Sequence, residues 1–228
     1  MKRYNFREVF NLKRLKIGVG AIFMLAAMIL SDRGELLCLY FLSAILHELG
    51  HLVAAWRLRL GIREVRLDFS GIRISINEEL SSYKSEMVLA LAGPLVNLAS
   101  VVICLVFLRS RGISAEALEG CIEGFFKEGS ITLNGAIGFF GICSLLQGTV
   151  NLLPVKTFDG GRVLYCSISS ICSERVAERA LDISSSFSAF VLWTVALYLM
   201  LKISSGLGIF VFAICIFCST LKDTDVCK

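Results

Sequence analysis

His47, Glu48 and His51 stand together in the stretch Ala-Ile-Leu-His-Glu-Leu-Gly-His-Leu-Val that runs from Ala44 to Val53. On an α-helix, residues four apart lie one above the other, so His47 and His51 can offer imidazole nitrogens to one metal ion while the Glu48 carboxylate stands beside it. His-Glu-x-x-His is the pattern of zinc-assisted hydrolysis, with the glutamate as general base toward a water that the ion activates. The chain has two histidines, and both are in this motif. The ordinary alternative is a chance match on a solvated helix face. The surroundings weigh against it, because the motif lies inside an apolar run. At membrane depth an ionisable residue costs on the order of 2.5–3.5 kcal/mol, so three in one segment call for a compensating partner. A bound dication is such a partner.

Composition sets the environment of this motif. With 56% hydrophobic residues over 228 positions and a mean hydropathy of +0.74, the chain is too apolar for a soluble domain and long enough for several membrane spans. The net charge of +4 is small, and the basic residues fall in short loops beside apolar runs, which argues for topology signals over nucleic-acid binding, so no nucleic-acid partner is expected. Most of the nine cysteines, among them Cys38, Cys104, Cys143 and Cys215, lie in apolar runs and read as small hydrophobes. Cys215 and Cys218 form an isolated Cys-x-x-Cys pair in a hydrophobic segment, which reads as packing.

The elements that must position the motif follow from the hydropathy pattern. A basic segment over 1–16 precedes an apolar run at 17–30, and a second span over 36–56 carries the two histidines. Between Arg57 and Lys84 the chain is polar and basic. There Val65, Leu67 and Phe69 alternate with charged residues, and Ile72, Ile74 and Ile76 do the same after Ser70-Gly71. This pattern predicts a small membrane-associated β-hairpin that pairs Phe69 with Ile72, Leu67 with Ile74 and Val65 with Ile76. A third span covers about 87–108 and includes Gly93-Pro94 and Asn97; a fourth covers about 131–154 and leads into Asn151, Pro154 and Asp159-Gly160-Gly161. An interfacial helix is expected from Gly161 to about Ile171, followed by a charged stretch from Glu174 to Asp182. Further spans are expected at 187–201 and 203–221. The expected fold is thus an all-α polytopic membrane protein of about six transmembrane helices, a single domain over 1–228 with no appended soluble domain.

Six spans put both termini on one side. Segments 1–16, 57–85, 156–185 and 222–228 hold six, six, four and two Lys or Arg, against five in the remaining turns, so both termini are expected in the cytoplasm. At about 1.5 Å per residue, His47 and His51 lie about 16 and 22 Å below the outer end of their span. His51 then stands about 8 Å from the cytoplasmic edge of a core about 30 Å thick. The fourth span returns to that same face.

Two histidines leave a catalytic zinc short of a third protein ligand and an open position for water. Asp159, just past the break at Pro154, can reach the required depth, with Gly160 and Gly161 allowing the backbone to turn. Asp-Gly is also an ordinary turn pair, and Asp68 and Glu86 are competing carboxylates in less rigid settings.

The motifs His47-Glu48-Leu49-Gly50-His51, Gly93-Pro94-x-x-Asn97 and Asn151-x-x-Pro154 with Asp159-Gly160-Gly161 occur in that order along the chain. Together they resemble the site-2 protease family of intramembrane zinc metalloproteases, over roughly 36–164, the family's three-span catalytic core. Many members carry a further proline before the aspartate, where this chain has Lys156-Thr157-Phe158. The six-span arrangement resembles the branch of sporulation-factor-processing proteases, without the regulatory domain often appended there and without a PDZ-type insertion. The resemblance implies one zinc held by His47, His51 and Asp159, with water in the fourth position and Glu48 as general base and then acid. Asn151 and Asn97 are candidates for holding a substrate strand or stabilising the oxyanion, although either can equally satisfy a neighbouring helix. The implied activity is cleavage of a membrane-associated protein within the bilayer of a bacterial plasma membrane, near its cytoplasmic side, as regulated intramembrane proteolysis. A regulatory membrane partner would fit that role.

Two rivals stay beside this reading. One is a membrane-embedded zinc protease with a distant glutamate as third ligand, which the Asp159-Gly-Gly context disfavours. The other is a non-proteolytic zinc-binding or partner-binding membrane protein, for which Glu48 would have no use.

Overall fold

A computed structural model describes residues 15–17, 34–60, 62–68, 71–76, 82–114, 116–117, 119–120 and 132–202. Five helices carry the architecture of this part: α1 (Gly34–Arg57), α2 (Tyr83–Ser110), α3 (Leu133–Asn151), α4 (Asp159–Ser169) and α5 (Glu174–Lys202). Of these, Leu37–Arg57, Tyr83–Ser110 and Leu133–Asn151 are long and apolar enough to cross a membrane. The expected spans at 17–30 and 203–221 lie outside the described residues, apart from Ile17.

The described chain divides into two compact units. One contains α1, α2 from Ala92 onward and α3 to Thr149, together with the strands; the other contains the first turns of α2, the chain from Val150, α4 and α5.

In the first unit, helix ends follow local chemistry. α1 closes with Arg59 in the left-handed region (φ 58), the Leu60 N–H donating to Ala55 O at 2.9 Å and the Arg59 N–H to Trp56 O at 3.0 Å. This is a Schellman turn with arginine where glycine is usual, at a strain of roughly 1–2 kcal/mol. Burial of Leu60 accompanies it. α2 ends in the same way, with Gly112 at φ 69 and the Ile113 N–H on Leu108 O at 3.1 Å. α3 begins on Thr132, whose Oγ1 accepts the Gly135 N–H at 3.1 Å.

Packing between these helices uses small residues. The buried face of α3 is Gly135, Gly138, Gly141, Cys143, Ser144 and Gly148. A Cβ at Gly141 would stand 3.3 Å from Cys104 Cβ, and one at Gly148 3.2 Å from Asn97 Cβ, both on α2. A Cβ at Gly50 on α1 would stand 2.6 Å from the Ala92 carbonyl oxygen. Bulky side chains point the other way: Ile103, Val106 and Leu146 are at least 60% exposed. Small residues inside and large ones outside is the arrangement a lipid solvent permits, since lipid tails offer Leu and Ile no reason to hide. Polar bonds also join α1 and α3, with Ser43 Oγ donating to Gln147 Oε1 at 2.8 Å and Ser144 Oγ to Ser43 Oγ at 3.2 Å.

Three short strands complete this unit. β1 (Leu15–Ile17) runs parallel to β2 (Ile62–Asp68), which pairs antiparallel with β3 (Gly71–Ile76). Leu67 lies opposite Ile72 and Val65 opposite Ile74. That register differs by two residues from the expected one. Asp68 lies opposite Gly71, and a shift of two keeps the same residues on each face. An irregularity between Ile62 and Glu64 sets Ile62 opposite Ile76.

In the second unit, α4 packs against α5 around Val155, Cys166 and Ala177, each 0% exposed. α5 is one continuous helix from Glu174 to Lys202, where the hydropathy pattern predicts a charged stretch and then a separate span at 187–201. The pattern marked where polarity changes, but no Gly or Pro interrupts this segment, so the helix continues through the change. Its Ser186 hydroxyl donates to Asp182 O at 2.9 Å instead of breaking the ladder.

Candidate metal centre

His47 is 3% exposed on α1, and His51 and Glu48 are half-buried one turn and one residue further along. The helix brings the two imidazoles together, with Nε2 of His47 3.1 Å from Nε2 of His51 and the rings edge to face at 80°. Two nitrogens bound at about 2.0–2.1 Å to one tetrahedral ion stand about 3.3 Å apart. The spacing therefore fits a shared metal ion without rearrangement of α1.

Gly93 of α2 makes room for this pair. A Cβ there would meet His51 Nε2 and would stand 2.7 Å from both Cε1 and Nε2 of His47. What approaches Gly93 is thus the pair of rings. Asn97, one turn on, is 0% exposed, and its Nδ2 lies 3.2 Å from His47 Nδ1. Its Oδ1 has no hydrogen-bond partner among the described residues. Asn97 was a candidate substrate or oxyanion contact; the structure seats it behind the His47 ring.

Asp159 belongs to the second unit, in the first turn of α4. A helix N-terminus is a favourable place for a negative charge. α3 stops at Asn151 because Pro154 cannot extend it. The chain then turns tightly, with the Val155 N–H donating to Leu153 O at 2.8 Å and the Phe158 N–H to Val155 O at 2.9 Å. Gly160 and Gly161 lie directly on this turn: a Cβ on Gly160 would collide with Leu152 O, and one on Gly161 with Val155 O. α5 secures the turn from outside. Ser185 Oγ accepts the Lys156 N–H at 2.9 Å, Ser184 Oγ donates to Pro154 O at 3.1 Å, and Lys156 pairs with Asp182. The sequence showed the Asp159-Gly-Gly turn; it did not show that two serines of the last described helix support it. A run of three serines, Ser184 to Ser186, in an otherwise apolar segment was the available signal. Asn151, the other candidate substrate contact, is the last residue of α3 and half-buried.

The competing acidic residues stand on other elements. Glu86 Oε2 accepts the Cys166 thiol at 3.2 Å, and burial, reinforced by this hydrogen bond and the Glu86 charge, pushes that thiol up to about 12. Asp68 closes the β2–β3 ladder opposite Gly71.

The model of the family described as Peptidase family M50 matches residues 35–195. Among solved structures, the fold is similar to the site-2 protease from Methanocaldococcus jannaschii, with a TM-score of 0.59 and 21% sequence identity, covering 94% of this chain and 92% of that one. A search of curated proteins finds no match.

Proposed function

The chain belongs to peptidase family M50, and from that premise we propose that it is an intramembrane zinc metalloprotease that hydrolyses a peptide bond of a membrane-associated protein. The observation that carries the reading is the pair of imidazoles on α1, whose Nε2 atoms stand 3.1 Å apart, a spacing that one metal ion can bridge; the Asp159-Gly-Gly motif supplies the proposed third donor. Two imidazoles and a carboxylate are a donor set that zinc accepts, with one position left for water.

A zinc ion bound there supplies Lewis acidity toward the scissile carbonyl and brings the pKa of water to about 7. The protein's own part lies in its side chains. Glu48, beside His47 on α1, takes the proton of the attacking water and returns it to the leaving amine. Asn151, at the end of α3, is placed by its motif to hold the substrate strand near the reacting carbonyl. A transmembrane substrate must unwind locally before a carbonyl is exposed, and the β2–β3 hairpin is a candidate to pair with the strand that results. The distribution of Lys and Arg supports six spans with both termini in the cytoplasm, and hence cleavage near the cytoplasmic face. The order of motifs supports kinship with the sporulation-factor-processing branch and a bacterial plasma membrane as the setting.

Glu48→Gln should keep about one zinc per chain in the purified protein while abolishing cleavage of a co-expressed membrane substrate, a loss on the order of 10²–10⁴-fold or more. Retained cleavage would remove Glu48 from the chemistry, and absence of zinc from the wild-type protein would favour the partner-binding alternative. Asp159→Asn should lower the zinc content; unchanged stoichiometry would exclude Asp159 as a ligand.

A further inference from the structure

Asn97 makes a contact that the peptidase reading leaves without a purpose. Its side chain is 0% exposed, so it offers nothing to a substrate, and it meets the ring of His47 at Nδ1, the nitrogen remote from His51. The two orientations of a buried amide occupy the same volume and differ only in chemistry. With Nδ2 toward the ring, the amide donates to Nδ1. The imidazole proton must then sit on Nε2, facing His51, and Oδ1 is left without a hydrogen-bond partner among the described residues. With Oδ1 toward the ring, the Nδ1–H of His47 donates to the amide oxygen and the Nε2 lone pair points at His51. Only this second arrangement lets Nε2 serve as a metal ligand, and it allows the His51 Nε2–H to donate across the 3.1 Å gap when no ion is bound. A Cβ on Gly148 of α3 would stand 3.2 Å from Asn97 Cβ, so α3 packs closely against this residue.

We propose that Asn97 is a positioning residue: its amide oxygen accepts the Nδ1–H of His47 and so fixes this ring in the tautomer whose Nε2 carries the lone pair that binds metal. The role rests on the metal reading above, but it is a property of the metal-free protein as well. Histidine ligands usually donate their second ring N–H to an oxygen, and losing that oxygen typically weakens metal binding by about 10–100-fold. Here the oxygen comes from a neutral amide of the adjacent span, which brings no second negative charge into the apolar region.

Because the chain has two histidines, nitrogen-15 labelling of histidine gives a spectrum of two rings, assigned with a His51→Ala variant. In the metal-free wild-type protein, the neutral form of the His47 ring should be protonated at Nδ1 alone. Asn97→Leu, close in shape but without an oxygen, should show a mixture of tautomers and bind zinc about 10–100-fold more weakly in chelator competition. Asn97→Asp should restore both the single tautomer and the affinity, which a purely packing role for the amide would not produce. An Nε2-protonated His47 in the wild-type protein overturns the proposal, as does an Asn97→Leu protein with unchanged tautomer and zinc affinity. Should Asn97→Leu fail to fold, the wild-type spectrum and Asn97→Asp still decide it. Failure of the wild-type protein to bind zinc would count against the proposed function, whereas the metal-free spectrum tests Asn97 independently.

Discussion

At the scale of single residues, the site depends as much on absent atoms as on present ones. Gly93 has no side chain at the point where both imidazoles converge, and the nearest atom to an added methyl group would be His51 Nε2. Gly93→Ala should therefore leave the helices intact, since alanine favours a helix over glycine by about 1 kcal/mol, yet weaken zinc binding. A chelator competition series on the purified variant would measure it; a zinc affinity equal to wild type would mean that the rings can move aside without leaving the metal. The glycines after Asp159 act likewise. They allow the first turn of α4 to rest on the carbonyls of Leu152 and Val155. Glu48, by contrast, is proposed from its neighbours alone, because a glutamate directly after the first histidine of His-Glu-x-x-His is the expected general base at that spacing.

At the scale of elements, each proposed ligand depends on an element other than its own. α1 supplies both histidines, but α2 gives them space at Gly93 and a contact at Asn97. The turn that carries Asp159 is secured by Ser184 and Ser185 of α5 through two hydrogen bonds to its backbone. A net contribution of about 0.5–1.5 kcal/mol per bond predicts that replacing both serines by alanine lowers stability by about 1–3 kcal/mol. Because the bonds restrain the segment that carries Asp159, zinc affinity should fall too. Thermal unfolding and zinc titration of the double variant test the two effects separately. An unchanged midpoint would show that the turn is held by Val155 and its packing alone. The continuous α5 also shows why this support was hidden: the hydropathy pattern ended one element and began another at the point where the serines do their bonding.

At the scale of the whole molecule, the chain is an integral membrane protein of a peptidase family, and the proposed orientation rests on charge. Lys and Arg cluster in the segments assigned to the cytoplasm, so reporter fusions at either terminus should be active only if the reporter folds in the cytoplasm. A periplasm-active fusion at one end would break the six-span topology, although not the metal centre. Three apolar helices, their order and the approach of His47 to His51 on one helix were legible in the sequence. Periodicity, the cost of charge in lipid and the reach of a side chain four residues away are local quantities, which a linear pattern carries in full. The register of β2 and β3, the unbroken course of α5, the seat of Asn97 behind His47 and the serines under the Asp159 turn were not legible there. Each depends on which backbone or ring happens to stand a few ångströms away across a gap of many residues. Only the packed structure decides such distances, because small residues in lipid record that helices approach closely but not what they approach.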